Sequence, residues 1–202
     1  VVAEVENVFK KAVHALGITE GAAKGDIKYT SKGALVGEVA ARLSGGYMSG
    51  WTFPYASGFE VTRAAIRIAV GLDPGSMDYR YINSSAERAV ISIPGIVKKV
   101  SGVQEAEKLP GVKNIFPTAK PGDTVAFPTN NVEKCANIIA SAKDRGAAVK
   151  SANAACRNIL FELTPGTEST FRYIFRVLFS PENCHGEPFF PNAYTACKEA
   201  LE

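Results

Sequence analysis

Val5, Val8, Phe9, Ala12, Val13 and Leu16 recur every three or four positions, so residues 1–16 are expected to form an amphipathic helix, with acids early and Lys10, Lys11 and His14 late. Gly17 ends it. Residues 27–30 and 34–39 are β-prone, and Ser31, Lys32 and Gly33 between them read as a three-residue hairpin loop with its glycine last. A Gly-rich, aromatic loop is expected over 44–51. A helix over about 58–71 follows, its Val61, Ala65, Ile68 and Ala69 at helical spacing. Leu72, Asp73, Pro74 and Gly75 form a turn and the first domain boundary.

Beyond that turn, residues 89–93 and 95–100 read as strands joined at Pro94. A short helix over 103–109, strands over 112–116, 124–127 and 135–140, and an Ala-rich helix over 143–160 come next. The pattern is α+β, with two small domains over 1–75 and 76–163. An extension over 164–202 carries Pro165, Pro181, Pro188 and Pro191 among aromatics. No internal repeat or low-complexity segment is visible.

Composition narrows the class. The 202 residues are 46% hydrophobic and 21% charged, which excludes disorder, collagen and coiled coil. Lys and Arg total 23 against 20 Asp and Glu, and a net charge of +3 gives no footprint for nucleic acid. No run approaches the roughly 20 apolar residues of a membrane helix, and the N-terminus has no signal-peptide pattern, so a soluble, cytoplasmic chain with no membrane partner is expected. Cysteines 135, 156, 184 and 197 form no CxxC pair and read as reduced thiols. The chain begins at Val1 without an initiator Met, which suggests a piece of something longer.

The hairpin holds the first candidate chemistry. With a three-residue loop, Thr30 faces Ala34, Lys28 faces Val36 and Asp26 faces Glu38. Two acids then sit opposite each other, with Cβ atoms roughly 5 Å apart, and like charges there need compensation. A hard divalent cation is one answer, since Mg2+ takes one or two carboxylates plus phosphate oxygens. Neutralisation of two exposed acids by Lys28 and Lys24 is the other. Ile27, Tyr29, Leu35 and Val39 would form the apolar face. Arg42, just past the strand, suits a phosphoryl or carboxylate oxygen, and Gly45 and Gly46 let backbone amides approach an anionic ligand.

Glu38-Val39-Ala40-Ala41-Arg42-Leu43-Ser44-Gly45-Gly46, preceded by Gly25-Asp26-Ile27-Lys28, resembles the end of an ATP-grasp domain. The likeness is greatest to carboxylate–amine ligases of the L-amino-acid ligase type, with glycinamide ribonucleotide synthetase and carbamoyl phosphate synthetase in the wider group. Gly95-Ile96-Val97-Lys98-Lys99-Val100, Leu109-Pro110-Gly111-Val112, Lys120-Pro121-Gly122-Asp123-Thr124-Val125 and Asn137-Ile138-Ile139-Ala140-Ser141-Ala142 occur in the order of the small β-rich domain that follows the ATP-grasp domain in such ligases. The similar segments cover roughly residues 15–162.

The resemblance implies a fold, namely the C-terminal lobe of an ATP-grasp domain followed by a small β-rich α+β domain. It implies Asp26 and Glu38 as ligands of Mg2+ (or Mn2+), and Arg42 as the catalytic contact to phosphate or acyl phosphate. Gly45 and Gly46 would lie against ATP. Ala40 stands where most ATP-grasp enzymes have Asn, a variant also similar to L-amino-acid ligases. The implied reaction is phosphorylation of a substrate carboxylate by ATP and attack of an amine.

One helix precedes the hairpin, so the lobe that grips the nucleotide is expected outside this chain, and the isolated chain is expected not to hydrolyse ATP. The turn from Gly71 to Gly75 lacks the Lys-Ser/Thr of a phosphate loop. Tyr47, Trp51 and Tyr55 are candidate pocket aromatics. Cys184 and His185 with Cys197 and His14 fit no zinc spacing, and nothing orients His185 as a base for Cys156. The rival reading is a non-catalytic ligand-binding or subunit-contact module derived from an ATP-grasp domain. A sheet cut from its other half exposes an edge, so a homo-oligomer is expected.

Overall fold

The computed structural model describes residues 1–164. The expectations for Cys184, His185, Cys197 and the proline-rich tail lie outside the described residues. The chain divides into two compact units, Val1–Ile82 and a second beginning at Asn83. No helix among the described residues is long and apolar enough to cross a membrane.

In the first unit, α1 (Val2–Ala15) lies on an antiparallel hairpin of β1 (Lys24–Thr30) and β2 (Gly33–Ala40). Val5, Val8, Phe9, Ala12 and Val13 form the half-buried stripe that the periodicity predicts, whereas Leu16 is exposed. Phe9 packs on Gly25: a Cβ there would stand 2.6 Å from the ring. Glu4 Oε1 accepts the Ala34 backbone N–H at 3.0 Å, and its Oε2 accepts the Tyr29 hydroxyl at 3.0 Å. One carboxylate thus ties the helix to both strands.

Residues 44–51, expected as loop, are partly helical. A π-helical turn, Met48–Thr52, runs into α2 (Phe53–Ser57), which ends at Gly58 with φ +72°. The expected helix over 58–71 is the shorter α3 (Val61–Ala69). Its following segment folds back, so that the backbone N–H of Arg80 donates to Ser57 O at 2.9 Å and the Tyr81 hydroxyl to Pro54 O at 3.2 Å.

Among the described residues, the second unit has two antiparallel three-stranded sheets. β7 (Ala136–Ala142) is the centre of one, between β3 (Ser84–Val90) and β5 (Val112–Pro117). β4 (Gly95–Ser101) is the centre of the other, between β6 (Thr124–Val125) and β8 (Leu160–Thr164). Strand β3 lies upstream of the expected 89–93. Its Ser-Ser-Ala-Glu-Arg-Ala-Val sequence lacks an apolar run, and pairing with β7 makes it a strand. Strand β8 was expected as the helix end and the start of the extension.

α5 (Arg145–Asn158) starts at Asp144, whose Oδ1 accepts the Ala147 N–H at 2.8 Å, and packs on β3 and β7. Ala148, Ala152 and Ala155, with no exposed surface, let it approach a strand whose Ile138 and Ile139 are wholly buried. Between β4 and α4 (Val103–Glu107), Gly102 adopts φ +79°, and a Cβ there would fall on the Asn158 carbonyl oxygen.

Two outcomes are expected. Gly102→Ala should lower the urea midpoint, with at least about 1–2 kcal/mol lost to the left-handed backbone alone, and an unchanged midpoint would contradict the close approach. Glu4 is held below its ordinary 4.5, first by the Ala34 N–H and then by the Tyr29 hydroxyl. A depressed carboxylate stabilises above its unfolded value and loses that contribution as pH falls through the folded one. The Ala34 amide resonance should therefore titrate with a midpoint below the ordinary 4.5, and should not titrate in Glu4→Gln.

Candidate functional site

From the turn, Thr30 pairs with Gly33, Tyr29 with Ala34, Lys28 with Leu35 and Ile27 with Val36. The loop has two residues, Ser31 and Lys32, rather than the expected three. The register then shifts by one, leaving Gly37 unpaired, and Asp26 pairs with Glu38, Gly25 with Val39 and Lys24 with Ala40. A β-bulge in the middle of the hairpin thus offsets the shorter loop, and Asp26 faces Glu38 as the sequence predicts. An isolated glycine inside a strand was the available signal for the bulge.

The bulge rearranges the faces. Residues opposite each other share a face, so Ala34, Val36 and Val39 lie with Gly25, Ile27 and Tyr29 on the α1 side. Leu35, expected there, joins Lys28 and the two acids on the other face and is 49% exposed.

Lys24 compensates the two acids. Its Nζ lies 2.5 Å from Asp26 Oδ2 and 3.3 Å from Glu38 Oε1. The Lys24 side chain is 16% exposed, against 63% and 56% for the acids. Hydrogen bonding to Asp26, then to Glu38, raises the lysine pKa against the opposing effect of burial, so it stays charged. Of the two lysines named from sequence, Lys24 serves this pair.

The donor chemistry fits a hard divalent ion: two carboxylates on one rung, open to solvent. Among the described residues no third His, Cys, Asp or Glu joins them. Mg2+ takes one or two carboxylates and completes its shell with water or phosphate.

Arg42 stands two positions past β2, exposed, and donates from Nη1 to Leu43 O at 3.0 Å. Gly45 and Gly46 follow with open space where a Cβ would project, and Gly46 has φ +63°. The rings of Tyr47 and Trp51 lie 5.2 Å apart at 58°. Neither these nor Tyr55 line the cleft beside α3, which has a volume of about 310 Å3. Burial pushes the Cys135 and Cys156 thiols up to about 11, so both are protonated at neutral pH and Cys156 is a poor nucleophile. His14 is exposed at the end of α1.

Residues 88–164 match the family described as L-amino acid ligase C-terminal domain 2. Phosphoribosylglycinamide synthetase from Anaerococcus prevotii shares the fold with a TM-score of 0.73 at 17% identity, over 81% of this chain and 42% of that one. L-amino acid ligase from Bacillus licheniformis gives 0.68 at 17% identity, over 82% and 43%. The biotin carboxylase domain of the Hydrogenobacter thermophilus 2-oxoglutarate carboxylase, solved with MgADP, ADP and bicarbonate, gives 0.56 at 17%, over 78% and 35%. No curated protein matches the sequence.

The fold is that of the C-terminal part of an ATP-grasp ligase. The chain spans about two-fifths of the length of the two ligase structures just named. The ATP-grasp likeness reaches both units, whereas the family match lies within the second.

Lys24→Met should leave the hairpin folded, because an exposed ion pair contributes little, yet leave the two carboxylates facing without a cation. Amide exchange along β1 and β2 should then become faster at low salt and recover as salt screens the pair. Equal exchange in wild type and variant at low salt would contradict the bridging role.

Proposed function

We propose that the chain works as the C-terminal part of an ATP-dependent carboxylate–amine, or carboxylate–thiol, ligase that proceeds through an acyl phosphate. Residues 1–75 would supply the end of the ATP-grasp lobe and 76–163 the small β-rich domain. The observation that carries this reading is the pair Asp26 and Glu38 on one rung, with Arg42 shortly beyond it. The family match and the ligase folds support it, as does a neighbour solved with MgADP.

Asp26 and Glu38 would hold Mg2+ or Mn2+. The ion supplies charge neutralisation on the phosphoryl group being transferred from ATP. Arg42 presents a planar fork to a phosphoryl or acyl-phosphate oxygen and holds it against the substrate carboxylate. Gly45 and Gly46 let backbone N–H groups reach the same anion. The substrate carboxylate takes the γ-phosphoryl group and ADP leaves; the amine then attacks the acyl carbon and phosphate leaves. The lysines and Gly-rich loop that grip ATP would come from an N-terminal lobe beyond this chain, and the unpaired hairpin edges would favour a homo-oligomer.

A non-catalytic module built on the same fold is the second reading. Lys24 favours it, because a charged lysine already satisfies the two acids without a metal.

Metal titration separates the two. Weak Mn2+ binding, lost in Asp26→Ala and in Glu38→Ala and several-fold tighter in Lys24→Met, supports the ligase reading; no binding in any of them supports the module. The isolated 202 residues should show no ATP hydrolysis, and turnover by the chain alone would place the nucleotide lobe within it.

A further inference from the structure

The cleft beside α3 is lined by three arginines, Arg63, Arg67 and Arg80, against one acid, Glu60. Arg63 and Arg67 lie one helical turn apart on α3, so both point along the same face. Arg80 joins them because the chain returns across the end of α2. That return needs Gly58, where a Cβ would stand 2.8 Å from Arg80 Cβ and 2.9 Å from the Tyr81 ring. Gly75 also lines the cleft.

The charge there is poorly compensated. Arg67 Nε donates to Asp73 O at 2.6 Å, which fixes the turn and leaves the rest of its fork unassigned. Arg63 and Arg80 make no ion pair among the described residues, and each is exposed. The neighbouring acids are committed elsewhere: Asp73 Oδ1 accepts the Gly75 N–H at 2.8 Å, and Asp78 Oδ2 accepts the Ser76 hydroxyl at 2.9 Å. Convergent guanidinium groups around a cavity of about 310 Å3 suit a multi-oxygen anion, since each can bind two oxygens side by side. Glu60 sets one negative charge against the three arginines of the lining.

We propose that this cleft is a binding site for a small oxyanion, a phosphate or carboxylate group carried by a small molecule. It is built from residues that take no part in the Asp26 and Glu38 rung.

Calorimetric titration of the full 202-residue chain with inorganic phosphate, pyrophosphate and citrate, with EDTA present to remove divalent metal, tests it. At least one probe should bind at one site per chain. Phosphate or pyrophosphate binding without citrate assigns a phosphoryl group, and the reverse assigns a carboxylate. Arg63→Gln and Arg80→Gln should each weaken binding about tenfold, the size expected for one charge-assisted hydrogen bond. Arg145→Gln, on an exposed arginine of α5, should leave it unchanged. Circular dichroism confirms that each variant is folded. No binding of any probe at millimolar concentration, or equal loss in all three variants, overturns the site.

Discussion

Two carboxylates facing each other across one rung of an antiparallel hairpin repel, and the local structure of the first unit is arranged around that repulsion. The register fixes the pair: Gly37 is set aside in a bulge, so that Glu38 comes opposite Asp26. Lys24, two residues upstream and on the same face as Asp26, reaches both acids. The other face is held by different chemistry. There Phe9 lies on Gly25, and Glu4 links the Ala34 amide to the Tyr29 hydroxyl. A hairpin is marginal by itself, and α1 supplies the packing that keeps its charged face in register.

The second unit obeys a different constraint, close approach without charge. Strand β7 is buried along nearly all its length, so whatever covers it has to come near the backbone. The alanines of α5 do this, and Gly102 lets the β4–α4 connection pass against the end of the same helix. Small residues at these contacts allow backbone proximity that a larger side chain would prevent. Two polar pairs lie within the unit: the Asn137 amide donates to Glu87 Oε1, and Arg88 Nε to Asn153 Oδ1 at 2.9 Å.

Apolar periodicity made α1 legible, alanine content made α5 so, and runs of β-prone residues showed most strands. Strand β3 was misplaced, since Ser84 to Val90 is polar and small and gains strand character from its partner. The π-helical turn was missed because Gly45, Gly46 and Gly50 make the segment read as loop, and the five residues of α2 are too few to show a helical period; its Pro54 sits at the start of the helix, where proline is tolerated. In the hairpin, the loop length and the apolar face were misjudged by one residue each for a single reason, the bulge at Gly37. The facing of Asp26 and Glu38 came out the same because the shorter loop and the bulge cancel. The cleft with Arg63, Arg67 and Arg80 had no local signature: Arg80 is brought to α3 by a fold-back that depends on Gly58 and on hydrogen bonds to Ser57 O.

The Lys24 bridge sharpens what a metal at the rung has to do. One lysine balances one of two negative charges, so the rung still carries a net negative charge, and a divalent ion can balance both. The lysine is tethered and reaches the acids at no translational cost, whereas the metal has to be drawn from solution and partly dehydrated. Without phosphate, these effects oppose one another and binding at two exposed carboxylates is weak. Phosphate oxygens would change the balance, because they would add ligands to the metal and attract the lysine ammonium group. In the ligase reading, Lys24 therefore does not merely compete with the metal. It would hold the two acids in register before a metal–phosphate ligand binds, and its ammonium would then lie near that ligand's anion.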